Sequence, residues 1–288
     1  MEYTINRTTL ENDPLYETLS ALQQSLSEVD LQLYVVGACA RDIAMKVLKA
    51  PASARRTIDI DIAIAIDNWD MFDTVSLQLQ GNHFRKDPYV KQRFYYKGED
   101  DKNDYEVDIV PFGPLADNEV IGWPPEGNPE MSVRCFEDVM KDADTIILDN
   151  GIRFRIASLS GQFLIKLDAW IDRHLNTDKD ARDIYYLMDN FYWTSIVDKF
   201  PPPTQVMNGD GPGFDPFVAG AQWIAAELRQ MLSPEHRSYY SEFIQCELKL
   251  EDSSLLVRHL LIASGDNRAE NYSRIRTALG NIHSILSE

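Results

Sequence analysis

Residues 55–67 read RRTIDIDIAIAID, a strict alternation that an extended chain turns into a two-faced element. Ile58, Ile60, Ile62, Ile64 and Ile66 then share one face and seek a core, while Asp59, Asp61, Ala63 and Ala65 share the other. Acidic side chains are depleted in strands, and two on one face repel each other unless a cation stands between them. A hard divalent cation taking oxygen ligands removes that conflict. A strand with one solvated face is the plainer alternative, and the rest of the chain has to choose.

Upstream, residues 31–36 form an apolar run that breaks at Gly37 and passes into a helical pattern carrying Arg41, Asp42 and Lys46. Glycine permits a sharp turn and a close approach to the main chain, and the N–H groups opening a helix favour an anion. Gly37 therefore marks either a phosphate site or a simple strand-to-helix turn. Before it, Leu15, Leu19, Leu22, Leu26 and Val29 fall at helical spacing behind Pro14, which predicts a packing helix over 14–29.

Downstream, Phe72, Val75 and Leu79 predict a helix over 69–79, and FRKDPYVKQRFYYKG mixes basic and aromatic residues around a strand. An acidic turn, GEDDKND, leads to YEVDIVPFG, where Asp108 and Glu106 face away from Val107 and Ile109. Asp108 on a strand beside Asp59 and Asp61 would complete a metal cradle, with Glu106 as its competitor. Taken alone, Asp108 reads first as a solvated residue near a strand end. Residues 116–142 are rich in Pro and Gly and predict irregular chain, with Trp123 expected to pack or to cover a substrate. TIILDNGIRFRIAS predicts a hairpin turning at Asp149, Asn150 and Gly151.

From residue 158 the period becomes helical. Phe163, Leu164, Leu167, Trp170 and Ile171 make one apolar stripe, and Ile184, Leu187 and Met188 another, predicting two helices over 158–192 joined near 175–178. Lys166, Asp168, Arg173, Lys179, Asp180 and Asp183 lie on the polar sides, where solvated charges pairing at i,i+4 are the ordinary outcome. Lys166 stands apart because it sits among apolar neighbours. Residues 200–217 read as a loop, its Gly209, Gly211 and Gly213 without assigned chemistry, and helical patterns follow at 218–232, 234–249, 252–264 and 269–286.

Composition narrows the partners. Lys and Arg number 28 against 46 Asp and Glu, a formal net charge of −18, which disfavours coating nucleic acid or an anionic membrane and gives no expectation of binding duplex DNA. Local basic groups at 85–97 and Arg258, Arg268, Arg274 and Arg276 could still form a patch. Cys39, Cys135 and Cys246 are widely spaced, so free thiols in a reducing compartment are expected. With no signal segment or membrane run visible, the expected location is the cytoplasm.

Taken in order, the Gly37 turn, the Asp59-x-Asp61 strand and the Asp108 strand resemble the nucleotidyltransferase superfamily with the DNA polymerase β-like fold. VVGACARDIAMKVLKAPASARRTIDIDIAI looks like the head of class II tRNA nucleotidyltransferases and bacterial poly(A) polymerases, although Ala38 stands where that family has its second glycine and no RRD or ED-x-x-R motif follows. The resemblance is nearer to AbiEii-type toxins and related uncharacterised nucleotidyltransferases. It is carried there by Arg56 before Ile58 and Asp59, by VDIVPFG and WPP, and by Lys166, Arg173 and Lys179-Asp180-x-x-Asp183. It covers roughly residues 33–190.

The resemblance implies an α/β (α+β) nucleotidyltransferase domain with a mixed sheet over 1–157 and a mostly α-helical C-terminal domain over 158–288 that contributes to the nucleotide site. It also implies transfer of a nucleoside monophosphate from an NTP, ATP among the candidates. Two Mg²⁺ ions, or Mn²⁺, would be held by Asp59, Asp61 and Asp108. Gly37 and Ala38 would hold the triphosphate through main-chain N–H groups, and Lys166 would add a point charge. Asp180 or Asp183 would organise the nucleotide or acceptor, and Arg41 and Arg56 would support phosphate or turn. The acceptor it allows is RNA, a tRNA 3′ end or a protein hydroxyl, with a role as the toxin of a toxin–antitoxin or phage-defence pair and hence an antitoxin partner. A nucleotide sensor without turnover, and a CCA-adding or poly(A) polymerase-like enzyme, are the alternatives.

Overall fold

The computed structural model describes residues 1–10, 13–48, 59–97 and 104–288. Arg55, Arg56 and Ile58, and all of the acidic turn except Asp104, lie outside them. The chain divides into two units, Met1–Ser158 and Leu159–Glu288.

The first unit runs β1 (Glu2–Ile5), α1 (Arg7–Leu10), α2 (Asp13–Ser27), β2 (Tyr34–Val36), α3 (Gly37–Val47), β3 (Asp59–Ala65), α4 (Trp69–Gly81), β4 (Phe84–Lys86), β5 (Arg93–Lys97) and β6 (Asp104–Phe112). It continues with β7 (Val120–Gly122), β8 (Glu130–Ser132), α5 (Phe136–Lys141), β9 (Asp144–Leu148) and β10 (Arg153–Ile156). Eight strands make one mixed sheet in the order β1-β9-β10-β2-β3-β6-β5-β4. The alternation of β3 works as its sequence requires. Ile60, Ile62 and Ile64, with Ile66 beyond the strand, are buried to 2% exposure or less, each burial contributing about 1.5–3 kcal/mol before the entropy of ordering is counted. Val107 and Ile109 on β6 and Phe94 on β5 are buried as well, so the apolar faces of three adjacent strands build one core layer. Asn68 starts α4 by accepting the Met71 N–H at 3.0 Å, as a helix N-cap does.

Two features of this unit lack a sequence period and were not expected from it. β1 joins the edge of the sheet by pairing in parallel with β9, and the segment expected to be irregular holds the β7–β8 ribbon and α5. Strands of three or four residues carry too few side chains to declare a period; they exist because distant backbone supplies their partners. Trp123, from the same segment, is 1% exposed and packs on Trp69 and Phe72 with ring centroids 5.0 and 5.2 Å away.

The second unit consists of α6 (Leu159–Arg173), α7 (Lys179–Asp198), α8 (Pro216–Met231), α9 (Pro234–Lys249), α10 (Leu255–Ser264) and α11 (Ala269–Ser287), with one short 3₁₀ turn before α10. Pro216 and Pro234 open their helices behind the capping side chains of Asp215 and Ser233, the position where a missing N–H costs nothing. The stripes predicted on α6 and α7 are its core: Phe163, Leu164, Leu167, Trp170, Ile184, Leu187 and Met188 are all buried. Among the described residues no helix is long and apolar enough to cross a membrane.

Candidate functional site

β3 and β6 run parallel, in a register that sets Asp59 beside Glu106 and Asp61 beside Asp108. Register partners in neighbouring strands project to the same side of a sheet. The non-core face therefore presents Asp59, Asp61, Glu106 and Asp108 together, and the expected third carboxylate stands next to the second. β5 adds Arg93 to the same face, because its antiparallel register places Arg93 opposite Asp108.

Arg93 is the residue that the sequence reading passed over, seeing it only as part of a basic stretch. Its Nε donates to Asp108 Oδ1 at 2.8 Å and its Nη2 to Asp108 Oδ2 at 2.9 Å, while Nη2 also lies 2.8 Å from Glu106 Oε1. A planar guanidinium matches a carboxylate in this two-pronged way. The hydrogen bonds to Asp108 hold the Arg93 proton more firmly than usual, ahead of an opposing effect of burial. Glu106 is informative in a different way. Burial pushes its carboxyl up, and the neighbouring charges of Asp108 and Asp59 add to that push, so that the nearby guanidinium of Arg93 does not bring it back down.

Gly37 lies against the same face of the first unit. It has φ of +66° and begins α3 directly after β2, whose Val36 lies opposite Asp61 across the antiparallel β2–β3 pair. A Cβ on residue 37 would come within 2.2 Å of Asp61 Oδ2. Only glycine lets the helix start this close to the carboxylate. Val36 provides no side-chain cap for the first turn of α3, and Ala38 follows, half-buried, in that turn. Arg41 is buried within α3, its Nε 3.0 Å and Nη2 2.9 Å from Asp42 Oδ1, so its charge is already engaged locally. Cys39 is buried in the same turn, and its thiol is pushed well up, first by burial and then by Asp42, Asp61 and Asp59. Arg56 lies outside the described residues.

In the second unit Lys166, Asp180 and Asp183 come together with one another. Lys166 Nζ on α6 is 2.7 Å from Asp183 Oδ2 and 3.6 Å from Asp180 Oδ1 on α7. Arg173 grips Asp180 through two bonds of 2.7 Å. Asp180 is fully buried. Burial pushes its carboxyl up, but the Arg173 hydrogen bonds and the charges of Arg173 and Lys166 outweigh that and leave it below the ordinary range. The packing of α6 on α7 brings Lys166 to Asp183.

Among the described residues no three His, Cys, Asp or Glu side chains are gathered closely enough to hold a metal ion. Asp108, the third member of the expected set, is turned to Arg93. The donors are nevertheless of the right kind. Carboxylate oxygens gathered on one face are the donor type that a hard divalent cation takes.

The chain matches no protein-family model, and no curated protein matches it. Among solved structures it is similar to the STING-associated CdnE c-di-GMP synthase from Capnocytophaga granulosa, at 12% identity over 97% of this chain and 84% of that one, with a TM-score of 0.29. A likeness of that score carries no conclusion about this chain.

Proposed function

We propose that the chain is a metal-dependent nucleotidyltransferase that moves a nucleoside monophosphate from an NTP to a hydroxyl acceptor. The observation that carries this reading is the β3–β6 register, which joins Asp59, Asp61 and Asp108 on one face beside the glycine start of α3. Asp59 and Asp61 would hold Mg²⁺, with Asp108 added when an acceptor is engaged. When bound, such ions neutralise phosphate charge and make a hydroxyl more nucleophilic.

The chain's own groups account for the rest. The first turn of α3, which Val36 does not cap with its side chain, would offer main-chain N–H groups of Gly37 and Ala38 to the triphosphate. The acceptor oxygen bonds to the α-phosphorus as the bond from that phosphorus to the bridging oxygen of the β-phosphate breaks. Pyrophosphate leaves with the electron pair, and a carboxylate of the face, Asp108 in this reading, takes the hydroxyl proton.

The test is to incubate the protein with Mg²⁺ and each labelled NTP, alone, with tRNA and with protein acceptors, and to follow label transfer and pyrophosphate. The reading fails if the wild type and an Asp59→Ala, Asp61→Ala double variant are indistinguishable. Addition restricted to C and A on truncated tRNA would identify a CCA-adding enzyme. A second reading, a nucleotide sensor without turnover, draws on the Arg93–Asp108 pair, which engages the carboxylate that transfer needs. It expects metal-dependent NTP binding with no pyrophosphate released.

A further inference from the structure

We infer that the helical unit carries a binding pocket for a free α-amino acid between α9 and α11, in which Arg237 takes the carboxylate and Glu242 the ammonium group. The pocket draws on residues of α9 and α11 and on Glu288, and it calls on neither Asp59 nor Asp61.

The two helices part around a cavity of about 390 Å³, a size that takes a small molecule. Its unanswered charges both come from α9. Arg237 is half-buried, its Nε is sealed away with no hydrogen-bond partner, and among the described residues no carboxylate pairs with its guanidinium. A guanidinium is a fork of five N–H donors shaped for a carboxylate, and leaving it unmatched in a half-buried place carries a cost that such a ligand relieves. Glu242 stands on the exposed rim, where Oε1 accepts a hydrogen bond from Ser238 Oγ at 2.7 Å, and among the described residues no Lys or Arg answers its charge. The other carboxylate of the lining, Glu288, is already paired with Arg229 at 2.9 Å. A simple anion would meet Glu242, and a simple cation would meet Arg237. A zwitterion matches both, and Pro234 with Leu286 gives its side chain an apolar wall.

The same cavity shows a serine beside a histidine, with Ser241 Oγ 2.8 Å from His283 Nδ1, but the hydrogen bonds rule out a nucleophile and its base. Lys249 Nζ donates to Gln245 Oε1 at 2.9 Å, which leaves the amide nitrogen of Gln245 to donate to His283 Nε2 at 3.2 Å. An imidazole that accepts at Nε2 carries its proton on Nδ1, and the Ser241 carbonyl receives that proton at 3.1 Å. His283 has no lone pair left for the Ser241 hydroxyl. The pocket is built to hold a ligand and not to cleave one.

The experiment is isothermal titration of the whole protein with each of the common amino acids and, for every one that binds, with its des-amino acid, its decarboxylated amine and inorganic phosphate. At least one amino acid is expected to bind with a Kd below about 1 mM, and the des-amino acid, the amine and phosphate much more weakly. Arg237→Met should weaken the amino acid about 10- to 100-fold, the range for hydrogen bonds to a charged group, and Arg237→Lys, which keeps the charge without the fork, should weaken it less. Glu242→Gln should weaken the amino acid and strengthen the des-amino acid, a reversal that damage to the fold does not produce. Arg258→Met, on α10 and exposed, is the control and should bind like the wild type. The inference is overturned if no amino acid binds, if binding survives Arg237→Met, if Arg258→Met loses as much, or if the des-amino acid or phosphate binds as tightly as the amino acid.

Discussion

Gly37→Ala is the substitution that most directly probes the site's construction. Its φ of +66° costs a side chain about 1–2 kcal/mol, offset by about 0.4–1 kcal/mol because alanine leaves the unfolded chain less freedom. To this is added a collision. The new Cβ would stand 2.2 Å from Asp61 Oδ2 and 3.1 Å from both Cβ and Cγ of Asp61. Rotating the carboxylate relieves the first contact but not the other two, so β3 or α3 must also shift by a few tenths of an ångström. Overpacking of that kind costs about 1–3 kcal/mol, for a total of about 1.5–4.5 kcal/mol. Gly151→Ala is the matched control, since it has φ of +86° in the β9–β10 turn and nothing within 4 Å of its new Cβ. It should lose only the backbone part, about 0.5–1.5 kcal/mol. Urea denaturation of both variants measures the difference, and pyrophosphate release measures its chemical consequence. Because Asp61 must move, Gly37→Ala should lose on the order of 100-fold in transfer rate while Gly151→Ala keeps its activity. Equal stability losses in the two variants, or full activity in Gly37→Ala, would refute the claim that the glycine is there to make room for Asp61.

Other expectations come from the helical unit and the aromatic core. Trp170 Nε1 donates to His259 Nδ1 at 3.1 Å, and an indole N–H can only donate, so His259 must be neutral with its proton on Nε2. Burial leads in lowering the His259 pKa below 6.5, with His174 and Arg258 adding to it against Asp178. The stability it contributes is therefore complete above pH 6.5 and is lost as the pH falls through the folded value; tryptophan emission followed from pH 8 to 5 should change in the wild type and much less in His259→Asn. Asp180→Asn leaves Arg173 and Lys166 short of a carboxylate and should cost about 2–4 kcal/mol, at or below the range for a broken buried pair because Arg173 is 39% exposed. The Asp180 contribution is present above pH 3.8 and lost as the pH falls through its lowered value, so the acid unfolding midpoint of Asp180→Asn should be less steeply pH-dependent than that of the wild type. Trp123→Ala removes a buried ring from the Trp69–Phe72 cluster and should cost about 3–5 kcal/mol in denaturation; a variant of normal stability with weak transfer would make Trp123 a substrate cover.

Much of this protein was legible without coordinates. The period of two in DIDIAIA puts the isoleucines on one side and Asp59 with Asp61 on the other whatever β3 pairs with, and the stripes of α6 and α7 follow from a period of 3.6. Glycine at 37 announced a turn. Those features depend on neighbours in the chain, and a residue's direction from its own backbone is a local property. The tertiary structure decided which residues meet. That Asp108 stands beside Asp61, and that Arg93 grips it, depends on the parallel register of β3 with β6 and the antiparallel register of β5 with β6. A shift of one residue in either would turn the partner to the other face. Likewise Lys166 found Asp183 because α6 and α7 pack together, and β1 became an edge strand because β9 offered it free backbone groups. Backbone hydrogen bonds are the same for every residue type, so the sequence can say which way a carboxylate faces but not, by itself, which strand will carry the charge that answers it.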